Sequence, residues 1–137
     1  MVEQAEVLAA AEALFYERGV QQVGMDEVRT AAGVSLKRLY QLFPSKDRLV
    51  LGWLAARDER WLASVGDHAR KAGSALAIFD WLAEWFAEPD FRGCAFVNTF
   101  GELGGTSEAV ADIARSHKEA FRQLFRDLAG EIGRAHV

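Results

Sequence analysis

The stretch that decides the fold is Thr30–Lys46, TAAGVSLKRLYQLFPSK. Two apolar helical segments are separated by a glycine, and the second stops at a proline. Ala31, Ala32 and Gly33 are small enough to let two backbones approach. Ser35 is a good N-cap for a helix presenting Leu36, Leu39, Leu42 and Phe43 at helical spacing. Pro44 stops that helix, and Ser45 caps the next. The reading is a helix over roughly Asp26–Ala32, a tight turn, and a second helix over roughly Ser35–Phe43. That is a helix-turn-helix unit, with Val34 and Leu39 plugging the angle.

The charge follows the same stretch. The chain carries a net charge of −4, yet Arg29, Lys37, Arg38, Lys46 and Arg48 fall together with Asp47 as the single acid among them. A basic patch on an acidic protein directs phosphate to one face and discourages binding elsewhere. In a helix-turn-helix the second helix enters the major groove, its N-terminal residues meeting base edges. Lys37 and Arg38 lie there and are expected to face out, while Leu36 and Leu39 pack. The arginine fork suits guanine, because it pairs O6 and N7 together.

Outward from this stretch the pattern stays helical. Val7, Leu8, Ala11, Leu14 and Phe15 form an apolar stripe that Gly19 ends. Beyond Ser45, Leu49, Trp53, Leu54, Ala56 and Trp61 give a long helix one apolar face, with Gly66 and the HARKAGS stretch marking its fading end. Helices follow over Ala75–Phe86 and Cys94–Leu103, separated by a Pro89-Asp90 turn. Gly104-Gly105 breaks the chain before a final helix opened by Thr106-Ser107-Glu108, with Val110, Ile113, His117, Phe121, Leu124 and Leu128 on one stripe. Seven helices and no strands make an all-α protein.

Composition bounds the rest. At 137 residues and 50% hydrophobic, the chain supports a real core and is no disordered segment. Cys94 is the only cysteine, so neither an internal disulfide nor a cysteine-pair zinc site can form. No apolar run has the length of a membrane span, and the N-terminus lacks a basic n-region, so a soluble cytoplasmic protein without a membrane partner is expected. There is no G-x-S-x-G, no phosphate-cradling glycine loop and no H-E-x-x-H, and His68, His117 and His136 share no metal-ligand spacing. Neither an enzyme, a cofactor nor a metal is expected.

Taken in order, LFYERGV, MDEVRTAAGVS, LY and FPSKDRL between Val7 and Trp53 resemble the N-terminal domain of the TetR family of bacterial transcriptional regulators. The match covers about a third of the chain. FRGCAFVNTFGELG, Phe91–Gly104, is similar to the RGC-x-x-x-N-x-x-x-E segment in the ligand domain of one TetR subgroup. The resemblance implies that Tyr40 and Lys46 touch DNA phosphates and that Ser35, Lys37 and Arg38 lie at the groove. Three positions depart from it. Gly24 stands where a Ser or Thr cap is usual, Arg38 where a Thr is common, and Leu42 where a second aromatic often meets phosphate. One phosphate contact is therefore in doubt, and base preference is individual to this chain. For Lys37 and Lys46 the plain alternative is a solvated surface charge.

The same resemblance implies residues 1–45 as a DNA-binding domain and 46–131 as a helical ligand-binding and dimerisation domain. Trp81, Trp85, Phe96, Asn98, Phe100 and His117 are the candidate ligand residues for an unknown apolar or aromatic effector. Their plain alternative is core: an aromatic stripe more often packs than binds, and Asn98 suits tying helix ends. The expected function is a ligand-responsive regulator, most often a repressor in this family, binding a palindromic double-stranded operator as a homodimer. The alternative is a helical protein that binds a small molecule or a partner and has lost specific DNA binding. The family has two further long helices, so the chain is expected to be incomplete, aggregation-prone and weak on a palindrome. Residues 132–137, IGRAHV, continue no apolar period and match the translation of a common sequencing-adapter string, which marks them as a candidate non-native tail.

Overall fold

A computed structural model describes residues 2–135. They form seven helices and no strand: α1 (Val2–Arg18), α2 (Met25–Ala32), α3 (Leu36–Leu42), α4 (Lys46–Ala72), α5 (Ala77–Phe86), α6 (Ala95–Leu103) and α7 (Glu108–Ala135). Local chemistry sets most boundaries. Gly33 takes φ 74°, a left-handed conformation that suits glycine, and the N–H of Val34 closes back on the Arg29 carbonyl at 3.1 Å. The Ser35 Oγ accepts the Arg38 N–H at 3.0 Å, and the Ser45 Oγ accepts the Arg48 N–H at 3.1 Å. Gly24 precedes α2 without a side-chain cap. Asp26 and Glu27 sit in that first turn, where the helix dipole favours acids.

Two apolar clusters organise the packing. The first joins Val7, Ala11 and Phe15 of α1, Val28 of α2, Leu39 of α3, and Leu49, Val50, Trp53 and Leu54 of α4. It also takes in Ala95 and Phe96 of α6, so this core crosses the expected 45/46 boundary. Val34 packs against the cluster and Leu39 is fully buried, as the turn requires. Leu36 differs from expectation. It is 40% exposed. The second cluster centres on Val65 and Ala69 of α4, Ile78 of α5 and Leu128 of α7, with Trp61, Trp81, Leu82, Phe121 and Phe125 against it.

Three further expectations change. α4 does not fade at Gly66. It runs to Ala72 and ends at Gly73, φ 69°. Gly66 is buried where α7 crosses, and a Cβ there would lie 3.4 Å from Leu124 Cδ1 and 3.0 Å from the Arg70 guanidinium. Close helix packing thus outweighs the weak helix propensity of glycine. For want of the family's further helices Phe121, Leu124, Phe125 and Leu128 are expected to be partly exposed; the first three are, while Leu128 is fully buried. The α7 helix continues through residues 132–135, and Ile132, four residues beyond Leu128, packs on the second cluster, so the apolar period does persist. His136 and Val137 of the candidate tail lie outside the described residues.

Leu39→Ala should lower unfolding free energy by about 2–5 kcal/mol, since it opens a cavity where α3 enters the first cluster. Urea denaturation followed by tryptophan emission measures it. A loss near zero would mean that the angle between α2 and α3 is held some other way.

Candidate nucleic-acid interface and ligand cavity

The cations of the basic patch are not equivalent. Arg29 Nε is bonded to Asp26 Oδ1 at 2.7 Å within α2. Arg38 lies back along α1, where its Nε and Nη2 meet the Glu3 carboxylate, the closest contact at 2.8 Å, and its Nη1 reaches Gln41 Oε1. That hydrogen bond holds the Glu3 carboxyl below its ordinary range. The expectation that Arg38 faces freely outward is therefore corrected: it is half-exposed and engaged. Among the described residues Lys37, Lys46 and Arg48 make no ion pair. Lys37 and Arg48 are exposed, and Lys46 is half-exposed in the first turn of α4. Tyr40 is 44% exposed on α3. Ser35 is exposed, but its oxygen is committed to capping α3. Leu42 turns inward onto the core, as its apolar side chain dictates.

The six candidate ligand residues do not converge on one pocket. Trp85 and His117 line a mostly apolar cavity of about 260 Å³ with Trp61, Leu82, Phe91 and Phe121. Trp81 and Trp85 line a neighbouring groove with Trp61, Arg57 and Arg60. Phe96 is buried beneath this region, stacked on His117 with ring centroids 3.8 Å apart and planes 8° from parallel. Phe100 instead faces an outer groove between α6 and α7 with Val97 and Ala114. Asn98 is exposed, and its Nδ2 donates to the Arg92 carbonyl at 2.8 Å, tying the α5–α6 loop to α6.

Sequence reasoning missed the side chain at the centre. Trp61 meets Trp81, Trp85, His117 and Phe121 edge to face, at centroid distances of 5.2, 5.5, 5.2 and 4.9 Å. Tilted geometry of this kind suits ring quadrupoles. The Trp61 Nε1–H is buried without a hydrogen-bond partner. His117 is 2% exposed, and its Nδ1 lies 2.6 Å from Asp58 Oδ1. A carboxylate only accepts, so the neutral imidazole carries its proton on Nδ1. Burial pushes the His117 pKa below its ordinary value, and the Asp58 carboxylate opposes that shift with less effect.

Residues 92–102 form a second missed feature. The Arg92 N–H donates to Tyr16 Oη at 2.8 Å, and the Tyr16 hydroxyl donates to the Gly93 carbonyl at 2.8 Å. From α6, the Glu102 carboxylate accepts the N–H groups of Val20 and Gln21, both at 2.9 Å. Glu102 thus serves a junction with the end of α1, while Asn98 ties the α5–α6 loop to α6. The sequence singled out this segment by resemblance and suited Asn98 to tying helix ends, but it did not point to the partners of Glu102 or Tyr16.

Residues 7–52 match the family model for bacterial regulatory proteins of the tetR family. A crystal structure of a TetR transcriptional regulator from Streptomyces avermitilis is 30% identical, superposes with a TM-score of 0.77, and aligns over 95% of this chain and 73% of that one. The chain belongs to the TetR family. Among curated relatives, an HTH-type transcriptional regulator of Mycobacterium tuberculosis is 28% identical over 116 residues, 79% of this chain and 57% of that protein. The HTH-type transcriptional activator FasR of Mycolicibacterium smegmatis is 39% identical over 96 residues, 64% of this chain and 42% of that protein. The TetR chain therefore spans little more than half the length of the first of these relatives.

The His117 environment gives a signed pH dependence. A histidine whose pKa is lowered by folding stabilises the fold fully above its ordinary value of 6.5, and that contribution is lost as pH falls below it. Stability should thus decline from about pH 7 to about pH 5, and His117→Phe should flatten that segment relative to the parent. Urea midpoints across the range read it. Equal slopes would place the acid sensitivity elsewhere.

Proposed function

We propose that this chain is a ligand-responsive, DNA-binding transcriptional regulator that works in the cytoplasm. The observation that supports the reading is the α2–α3 unit: its turn is set by Gly33 and the buried Leu39, with Lys37 and Tyr40 exposed on α3 and Lys46 half-exposed at the start of α4. The α3 helix enters the major groove. Tyr40 and Lys46 meet phosphates, and Arg38 leaves Glu3 to read a base. Among the described residues no helix is long and apolar enough to cross a membrane. The family setting favours a homodimer on a palindromic site. Repression is the commoner mode, although one relative is named an activator.

An uncharged or weakly acidic aromatic effector fits the cavity walled by Trp61, Trp85 and His117. Trp61 and Trp85 emission would report its arrival. A broad panel of such compounds that changes neither emission nor DNA release would make these rings core alone.

DNA selected from a random pool, then titrated at several salt concentrations, tests the reading and separates it from a regulator fold that no longer binds DNA. Lys46→Ala should weaken binding to all sequences alike and flatten the salt slope by about one unit. Arg38→Ala should weaken the best site about tenfold to a hundredfold and relax preference at one base pair. Equal loss on every sequence would make Arg38 a phosphate contact instead.

A further inference from the structure

The contacts between α6 and the end of α1 lie apart from the Trp61 cluster and from the exposed residues of α3, and with Tyr16, Arg92 and Asn98 they wall a small cleft of their own, of about 310 Å³. Glu102 projects from α6 across the α1–α2 turn, and its two oxygens take the two backbone N–H groups that follow Gly19. The Gln21 side chain returns the contact, its Nε2 donating to the Glu102 carbonyl at 3.3 Å. Gly19 makes room for this. It takes φ 86°, and a Cβ on it would stand 3.2 Å from Glu102 Oε1. Bidentate capture of adjacent amides by a carboxylate fixes both orientation and distance, and charge-assisted bonds are the stronger class. At its other end α6 carries Phe96, stacked on His117 of the cavity wall. One nine-residue helix therefore touches the cavity at one end and the root of the helix-turn-helix at the other.

We propose that Glu102 is a latch that couples the cavity to the DNA-binding unit: movement of α6 at Phe96 and His117 is delivered through Glu102 to the α1–α2 turn, and so to the seat of α2. Glu102 is a positioning residue in this account and touches neither DNA nor effector. The proposal deepens the regulator reading and rests on it for its purpose. The rival route is α4, which also runs from the first cluster to the second.

Amide NMR on the whole 137-residue chain tests the latch without DNA or effector. The Val20 and Gln21 amides should exchange at least about tenfold faster in Glu102→Ala than in the parent, with amides of the α1 centre unchanged. A cavity substitution, Trp85→Phe, should shift amide resonances of α2 in the parent. In the Glu102→Ala background the same substitution should shift them less than about half as far. If Glu102→Ala fails to fold, Glu102→Gln carries the test. It keeps one acceptor oxygen and should release one of the two amides, with an intermediate loss of transfer. Undiminished transfer in either variant overturns the proposal and assigns the coupling to α4. Unprotected Val20 and Gln21 amides in the parent overturn it as well. Failure to bind DNA would sink the regulator reading while leaving the amide result intact, so the two failures are distinguishable.

Discussion

Arg57 is the charge around which the two halves of the molecule are fitted. It is 8% exposed in the middle of α4, and a guanidinium there requires a partner, because an unpaired buried charge costs several kcal/mol. Glu12 of α1 supplies it, and the same carboxylate takes the Trp53 indole N–H. Arg60 approaches it at 3.5 Å from the next turn of α4. The guanidinium also lies over the Tyr16 ring, 4.3 Å from its centroid. This fixes where the Tyr16 hydroxyl points, and that hydroxyl holds the backbone of Arg92 and Gly93. α1 is thereby locked to α4, and the α5–α6 loop to α1, through one buried cation.

What the sequence disclosed was local. Ser35, Ser45, Gly33 and Pro44 act within a few residues of themselves, so caps, turn and stop were legible from spacing. Long-range polar pairs were not. Glu3 with Arg38, Glu12 with Arg57, Asp58 with His117, and Glu102 with Val20 and Gln21 join residues far apart in the chain. A charged residue defaults to solvent, and periodicity gives it a face but no partner. Gly66 shows the same limit in reverse. Propensity marks it as a weak point, and only the crossing of α7 explains its place inside a helix.

The site was legible in proportion. The apolar character of Trp81, Trp85, Phe96 and Phe100 followed from composition, but their distribution over separate surfaces followed from rotation about α5 and α6. Trp61 was assigned only to the apolar face of α4. Its role as hub arises because α5 and α7 converge on that turn of α4 from opposite sides. Its N–H, without a partner among the described residues, costs about 1–3 kcal/mol of desolvation inside that aromatic cluster.

The Arg38–Glu3 pair bears on how such a protein approaches DNA. The pair is exposed, and an exposed ion pair is weak in water and weaker in salt. It is therefore no lock against DNA. Phosphate brings a strong negative potential that favours the arginine and disfavours Glu3, so the exchange of partners grows easier as α3 nears the groove. Until then, Glu3 and Gln41 confine a long flexible side chain to one region of space. On reaching a base edge as proposed, the guanidinium would have less freedom to lose, which favours affinity. Under the proposed function a guanine would offer two acceptors in place of the carboxylate's two oxygens, while a wrong base would leave Arg38 paired with Glu3. A standing alternative of this kind narrows the difference between the two outcomes, because it satisfies the guanidinium where the base does not.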